Sequence, residues 1–119
     1  MYYSVIVLRL EFDLDPRRAD ARIIDLPDDG FDLGAYEARR VFFASKDGTR
    51  IPMFLVHRKG LMAHGTNPTW LYGYGGFNVV MKPQFAVPPL AWIERGGVYA
   101  MVILRGGGEY GEAWHKAGT

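Results

Sequence analysis

The segment Tyr72-Gly73-Tyr74-Gly75-Gly76-Phe77-Asn78 sets a phenol among three glycines. Glycine escapes the steric limits that Cβ imposes, so such a run serves unusual backbone angles or the close approach of another group. Two readings follow. One is a tight turn packed by its own aromatics. The other is a loop that donates hydrogen bonds to negative charge developing on a reacting carbonyl, the task of an oxyanion hole. Residue types alone leave both open.

A second glycine cluster, Arg105-Gly106-Gly107-Gly108-Glu109-Tyr110-Gly111, spells G-x-G-x-x-G from Gly106 to Gly111. A dinucleotide site needs in addition an acidic ribose ligand about 20 residues further on, and the sequence stops at Thr119. Glu109 and Glu112 would also face a pyrophosphate with the wrong charge, so a structural turn is the better reading. Arg95-Gly-Gly and Arg105-Gly-Gly look like RGG elements of RNA-binding tails. Such tails are disordered and basic, whereas these two tripeptides flank an apolar strand. His57, His64 and His115 share no metal-ligand spacing, so neither a metal nor another cofactor is expected. Ser4 and Ser45 are the only serines. Ser4 lies in a strand and Ser45 in a hairpin turn, neither in a G-x-S-x-G elbow, so no activated nucleophile is expected.

The elements that must hold these loops are legible from periodicity. Ile6 to Leu14 alternates apolar and polar side chains, the pattern of a half-buried strand, and Ala21 to Leu26 follows as its hairpin partner across Asp15-Pro16-Arg17-Arg18. Beyond a linker-like stretch, Ala38 to Ala44 and Arg50 to His57 read as a hairpin closed by Asp47-Gly48, for which a two-residue type I′ turn is expected. Pro68 to Tyr74 reads as a buried strand running into the first glycine bend. Val87 to Arg95 carries a helical stripe with its prolines in the first turn and Gly96-Gly97 as a cap. Val98 to Leu104 is continuously apolar, as a strand covered on both faces of an α/β sheet would be. A glycine-rich loop directly after a sheet strand is where α/β-hydrolases carry an oxyanion donor motif.

Composition narrows the partners. With 49% apolar residues and a net charge of +1, the 119 residues suit one globular unit. Fourteen basic side chains are scattered among thirteen acidic ones, which gives no field for nucleic acid or an anionic membrane surface. There is no cysteine, so disulfides and thiolate chemistry are excluded. The apolar start is interrupted by Arg9 before a signal-peptide core is complete, and no stretch nears the length of a membrane span. A cytoplasmic location is expected, unless an amino-terminal address precedes the sequence.

Taken together, Phe42 to Phe54 with its Ser-Lys-Asp-Gly-Thr turn, Leu71 to Asn78, and Arg105 to Gly111 with Trp114-His115 resemble the prolyl oligopeptidase family, in the family's order and approximate spacing. The resemblance runs from about Phe31 to Thr119. It implies that residues 31–119 are the N-terminal portion of an α/β-hydrolase peptidase domain, truncated before the nucleophile, and that residues 1–30 are the end of a β-propeller crossing into it. Its further implications are a Ser-His-Asp triad, absent from this sequence, and cleavage of short peptides after proline. Tyr74 matches the family's oxyanion-donating tyrosine, and Phe77 matches a phenylalanine that lines the proline pocket. The short proline-containing peptide is the expected partner of the complete enzyme, and the 119-residue chain alone is expected to be inactive. Arg105 to Gly111 and Trp114-His115 carry over only as neighbours of the site. Because the nucleophile strand lies near the middle of such a sheet, Val98 to Leu104 is expected to lack a neighbour and to expose an apolar edge prone to association. The alternative reading is a non-catalytic module that reuses these motifs for peptide binding or assembly.

Overall fold

The computed structural model describes residues 8–12, 21–25, 32–81, 84–85 and 87–119. It is a mixed α/β arrangement in which a four-stranded sheet holds both glycine loops. β1 (Leu8–Phe12) and β2 (Ala21–Asp25) pair antiparallel, within the two strands of the hairpin that the sequence predicts. Their connecting turn lies outside the described residues, as does Ser4. β6 (Gln84–Phe85) adds to the other side of β1, a link between the first thirty residues and the rest that periodicity did not foresee.

β3 (Tyr36–Ala44) and β4 (Arg50–Arg58) form a full-length antiparallel hairpin from Tyr36↔Arg58 to Ala44↔Arg50. Its turn differs from the type I′ expectation. Only Gly48 adopts positive φ (81°), while the Ser45 amide donates to the Thr49 carbonyl at 2.9 Å and the Gly48 amide to the Ser45 carbonyl at 2.9 Å. That is a three-residue loop with a single left-handed glycine. Asp47 keeps ordinary backbone angles because its carboxylate is used locally, accepting the Thr49 amide at 3.0 Å.

Gly-rich bends aside, the sheet is completed by β5 (Thr69–Tyr74) and β7 (Val98–Ile103), which run parallel from Thr69↔Val98 to Tyr74↔Ile103. Parallel neighbours need a crossover, supplied here by α1 (Val87–Glu94). The helix ends as its glycines predict: Gly96 sits at φ 87° and donates to Ile93, and Gly97 donates to Trp92. Gly97 has a second reason to be glycine. A Cβ there would lie 2.3 Å from the Trp92 indole nitrogen, which donates to the Val98 carbonyl at 3.1 Å.

Sheet order is β3-β4-β7-β5, and it overturns two expectations. β7 does not lack a neighbour: it lies between β4, antiparallel, and β5, parallel, and all six of its residues are buried. The edge falls instead on β5, whose residues are all exposed rather than buried. Apolar type alone makes Trp70-Leu71-Tyr72 look like a core run, but it does not say whether a covering neighbour is present.

The core gathers Tyr36, Phe54, Val56, Tyr99, Met101 and Ile103 from the sheet against Leu90 and Ile93 of α1. Ile93 is fully buried, a burial that contributes about 1.5–3 kcal/mol. At the rim, Tyr36 and Arg58 both hydrogen bond to the Glu94 carboxylate, fastening α1 to the hairpin. These donors, the Tyr36 hydroxyl first, hold the Glu94 carboxyl below its usual range. No helix among the described residues is long and apolar enough to cross a membrane.

Candidate functional site

Tyr74 is the last residue of β5, paired with Ile103 at the end of β7, so the two glycine loops leave adjacent parallel strands at the same end of the sheet. They interlock through backbone. A Cβ on Gly75 would stand 2.4 Å from the Arg105 carbonyl oxygen and 2.5 Å from the Leu104 Cβ. One on Gly108 would stand 2.7 Å from the Asn78 carbonyl, and one on Gly107 2.8 Å from the Val79 carbonyl. Gly106, at φ 100°, would push its Cβ to within 3.1 Å of the Gly75 carbonyl. Gly106, Gly107 and Gly108 are therefore glycine because the first cluster passes close to them.

Hydrogen bonds fix the same contact. The Asn78 amide donates to the Gly106 carbonyl at 3.1 Å, and the Gly108 amide to the Val79 carbonyl at 3.1 Å. The Met81 amide donates to the Glu109 carboxylate at 2.8 Å. Between these pins, Gly76 to Val79 forms a tight turn closed by the Val79 amide on the Gly76 carbonyl at 3.0 Å, with Phe77 at φ 51° and Asn78 at φ 55°. Two successive left-handed residues define a type I′ turn. Asparagine tolerates that conformation, but phenylalanine there costs about 1–2 kcal/mol. Such strain persists only where surrounding contacts over-determine the backbone.

The structure thus places Tyr74 at the end of β5 and Phe77 on the pinned loop that follows it. Tyr74 is 37% exposed and its ring lies over Gly76, where a Cβ would be 3.8 Å from the hydroxyl oxygen. Among the described residues that hydroxyl makes no hydrogen bond. Phe77 is 88% exposed. Both side chains therefore face solvent at the C-terminal end of β5.

Two supports went unseen in the sequence. Arg105, first residue of its loop, reaches back to the hairpin turn, donating to Asp47 Oδ2, to Ser45 Oγ at 3.2 Å and to Thr49 Oγ1 at 3.4 Å. The guanidinium, helped by the Thr49 amide, pulls the Asp47 carboxyl down to about 2. Glu109 is the other, with Oε1 on the Met81 amide and Oε2 buried without a hydrogen-bond partner. No local signal links Arg105 to a turn 58 positions earlier, although an acidic residue inside a glycine cluster hints at an acceptor for a backbone amide. Past Gly111, the short helix α2 (Glu112–Lys116) turns back: the Gly106 amide donates to the Trp114 carbonyl at 3.0 Å, His115 Nδ1 lies 2.7 Å from the Gly106 carbonyl, and the Trp114 indole donates to the Leu104 carbonyl at 3.0 Å. His115 is thereby a loop brace, and no group of metal-ligating side chains forms among the described residues.

The arrangement matches known proteins along most of its length. The prolyl endopeptidase of Elizabethkingia meningoseptica is 44% identical over 122 aligned residues, covering 100% of this chain. The chain belongs to the prolyl oligopeptidase family. It spans 17% of that relative's length. A solved prolyl endopeptidase superposes on 83% of the chain with a TM-score of 0.71 and 52% identity, the match covering 15% of that structure. Prolyl oligopeptidase B of Galerina marginata, solved bound to a 35-residue hydrolysis and macrocyclization substrate, superposes on 82% with a TM-score of 0.70 and 40% identity, over 13% of its own length. No general family model matches the chain.

Proposed function

We propose that this segment supplies the oxyanion-donor and proline-pocket loop of a serine peptidase that cleaves short peptides after proline. The observation that carries the reading is the Tyr74 phenol, half-exposed and without a hydrogen-bond partner among the described residues, at the end of a strand whose following loop is pinned at three backbone positions. A donor held in place before the reaction stabilises developing negative charge without reorganising. The exposed Phe77 ring, held in a costly conformation, is suited to pack on a substrate's pyrrolidine.

In this reading residues 31–119 begin an α/β-hydrolase domain, with residues 1–30 a preceding propeller strand pair. The segment carrying the nucleophile adds parallel to the open edge of β5 and covers Trp70, Leu71 and Tyr72. Parallel neighbours bring their C-terminal ends together, so a serine on an elbow after that strand would arrive beside Tyr74. The 119 residues alone do not turn over peptide, since the described serine, Ser45, is bonded to Arg105 and has no adjacent base.

The test is Tyr74→Phe in the full-length peptidase carrying this segment, assayed on a proline-containing chromogenic peptide. Loss of one oxyanion donor is expected to lower kcat by about 10²–10³ with KM little changed. A kcat within about twofold of the parent refutes the role.

A further inference from the structure

We infer that Glu109 is a positioning residue for the oxyanion loop, acting through the backbone rather than on substrate; this rests on the reading of Tyr74 as the oxyanion donor. Among the described residues four hydrogen bonds hold residues 76–81, and three of them join backbone to backbone. The fourth, from the Met81 amide to Glu109 Oε1 at 2.8 Å, is the one that depends on a side chain. It falls where the loop leaves the strained Phe77-Asn78 turn, so it fixes the far end of a segment whose near end is tied to β7 through Tyr74↔Ile103.

The carboxylate is held closely on its own side as well. A Cβ on Gly107 would stand 2.2 Å from Glu109 Oε2, and that oxygen is buried with no hydrogen-bond partner. A buried acceptor left unmatched is costly, and retaining it needs a compensating service. A glycine or an apolar residue in a surface turn would avoid that cost. The service available here is the second carboxylate oxygen, which reaches across 28 positions of sequence to satisfy an amide in the loop. Glu109 and the Arg40 guanidinium also act in opposite senses on the hydroxyl of Tyr110, whose burial raises its pKa. The carboxylate therefore lies close to Tyr110 and bonds the loop that follows Tyr74 at Met81.

The experiment is a double-mutant cycle in the full-length peptidase. Glu109→Met fills a similar volume without an acceptor, and Glu109→Asp keeps the charge but withdraws the oxygen by one methylene. Each is expected to lower kcat roughly 10- to 100-fold with KM little changed, because a displaced donor stabilises the transition state poorly. Glu109→Gln keeps an acceptor for the Met81 amide and should restore kcat to within about threefold of the parent. The double variant Tyr74→Phe with Glu109→Met should be no more than about threefold slower than Tyr74→Phe alone, since the brace has nothing left to position. Independent, multiplying losses overturn the inference, as does an unchanged kcat in Glu109→Met. Should Glu109→Met not fold, Glu109→Asp carries the same cycle. If Tyr74→Phe alone leaves kcat intact, the oxyanion reading fails, and with it the catalytic route assigned to Glu109; a loss confined to Glu109 variants would then show the two apart.

Discussion

Gly75 and Gly76 are adjacent in sequence and alike in type, yet the structure assigns them opposite tolerances. A Cβ at Gly75 would lie 2.4 Å from the Arg105 carbonyl oxygen, 2.5 Å from the Leu104 Cβ and 3.0 Å from the Leu104 carbonyl carbon. Two of these three atoms are backbone, so no rotamer change relieves the overlap. Restoring ordinary contact requires roughly 1 Å of separation between the two loops. At Gly76 the same atom would find only the Tyr74 ring, at 3.8 and 3.9 Å, which is ordinary van der Waals distance. Gly75→Ala is therefore expected to cost about 1–3 kcal/mol of stability as an overpacked substitution. In the full-length peptidase, displacing the proposed Tyr74 donor by about 1 Å should lower kcat about 10²-fold. Gly76→Ala should leave stability within about 0.5 kcal/mol. Urea unfolding of both variants, with kcat and KM on a proline-containing chromogenic peptide, provides the comparison. Equal effects at the two positions would refute the claim that the glycines are required by loop approach rather than by backbone conformation.

Two further outcomes follow from features outside the loop. Asp47 has its carboxyl lowered from 3.8 to about 2 by Arg105 and Thr49; a depressed folded-state value stabilises above the unfolded one and is lost as pH falls through the folded one. Stability should thus decline between pH 3.8 and about 2, and Asp47→Asn should flatten that part of the profile in a pH series of thermal melts. At the sheet edge, Leu71 is 63% exposed on β5 between Trp70 and Tyr72. The isolated 119-residue chain should self-associate at micromolar concentration, and Leu71→Lys should reduce this in light-scattering chromatography. A monomeric parent with a sharp cooperative melt would contradict the assignment of β5 as the sticky edge.

What the sequence determined by itself was local: alternation located β1, turn residues marked β2 to β4 as hairpin strands, a continuous apolar run located β7, and prolines and glycines marked both ends of α1. Those signals depend on residues within a few positions of one another, where backbone angle and periodicity act directly. The three motifs sufficed as well to draw the family resemblance and to single out Tyr74 and Phe77. Tertiary structure alone decided which strand is covered. Trp70-Leu71-Tyr72 and Val98 to Leu104 look equally apolar, but sheet order buries β7 between two neighbours and leaves β5 at the edge. The same holds for the meaning of the second glycine cluster, whose reason is the proximity of Gly75, Asn78 and Val79 some thirty positions earlier. Asp47-Gly48 is the instructive middle case: the dipeptide marked the turn, but the hydrogen bond from Thr49 to the Asp47 carboxylate selected a longer loop than the dipeptide suggests. Pairing across the sheet and between loops depends on distances through space, and one-dimensional spacing carries no record of them.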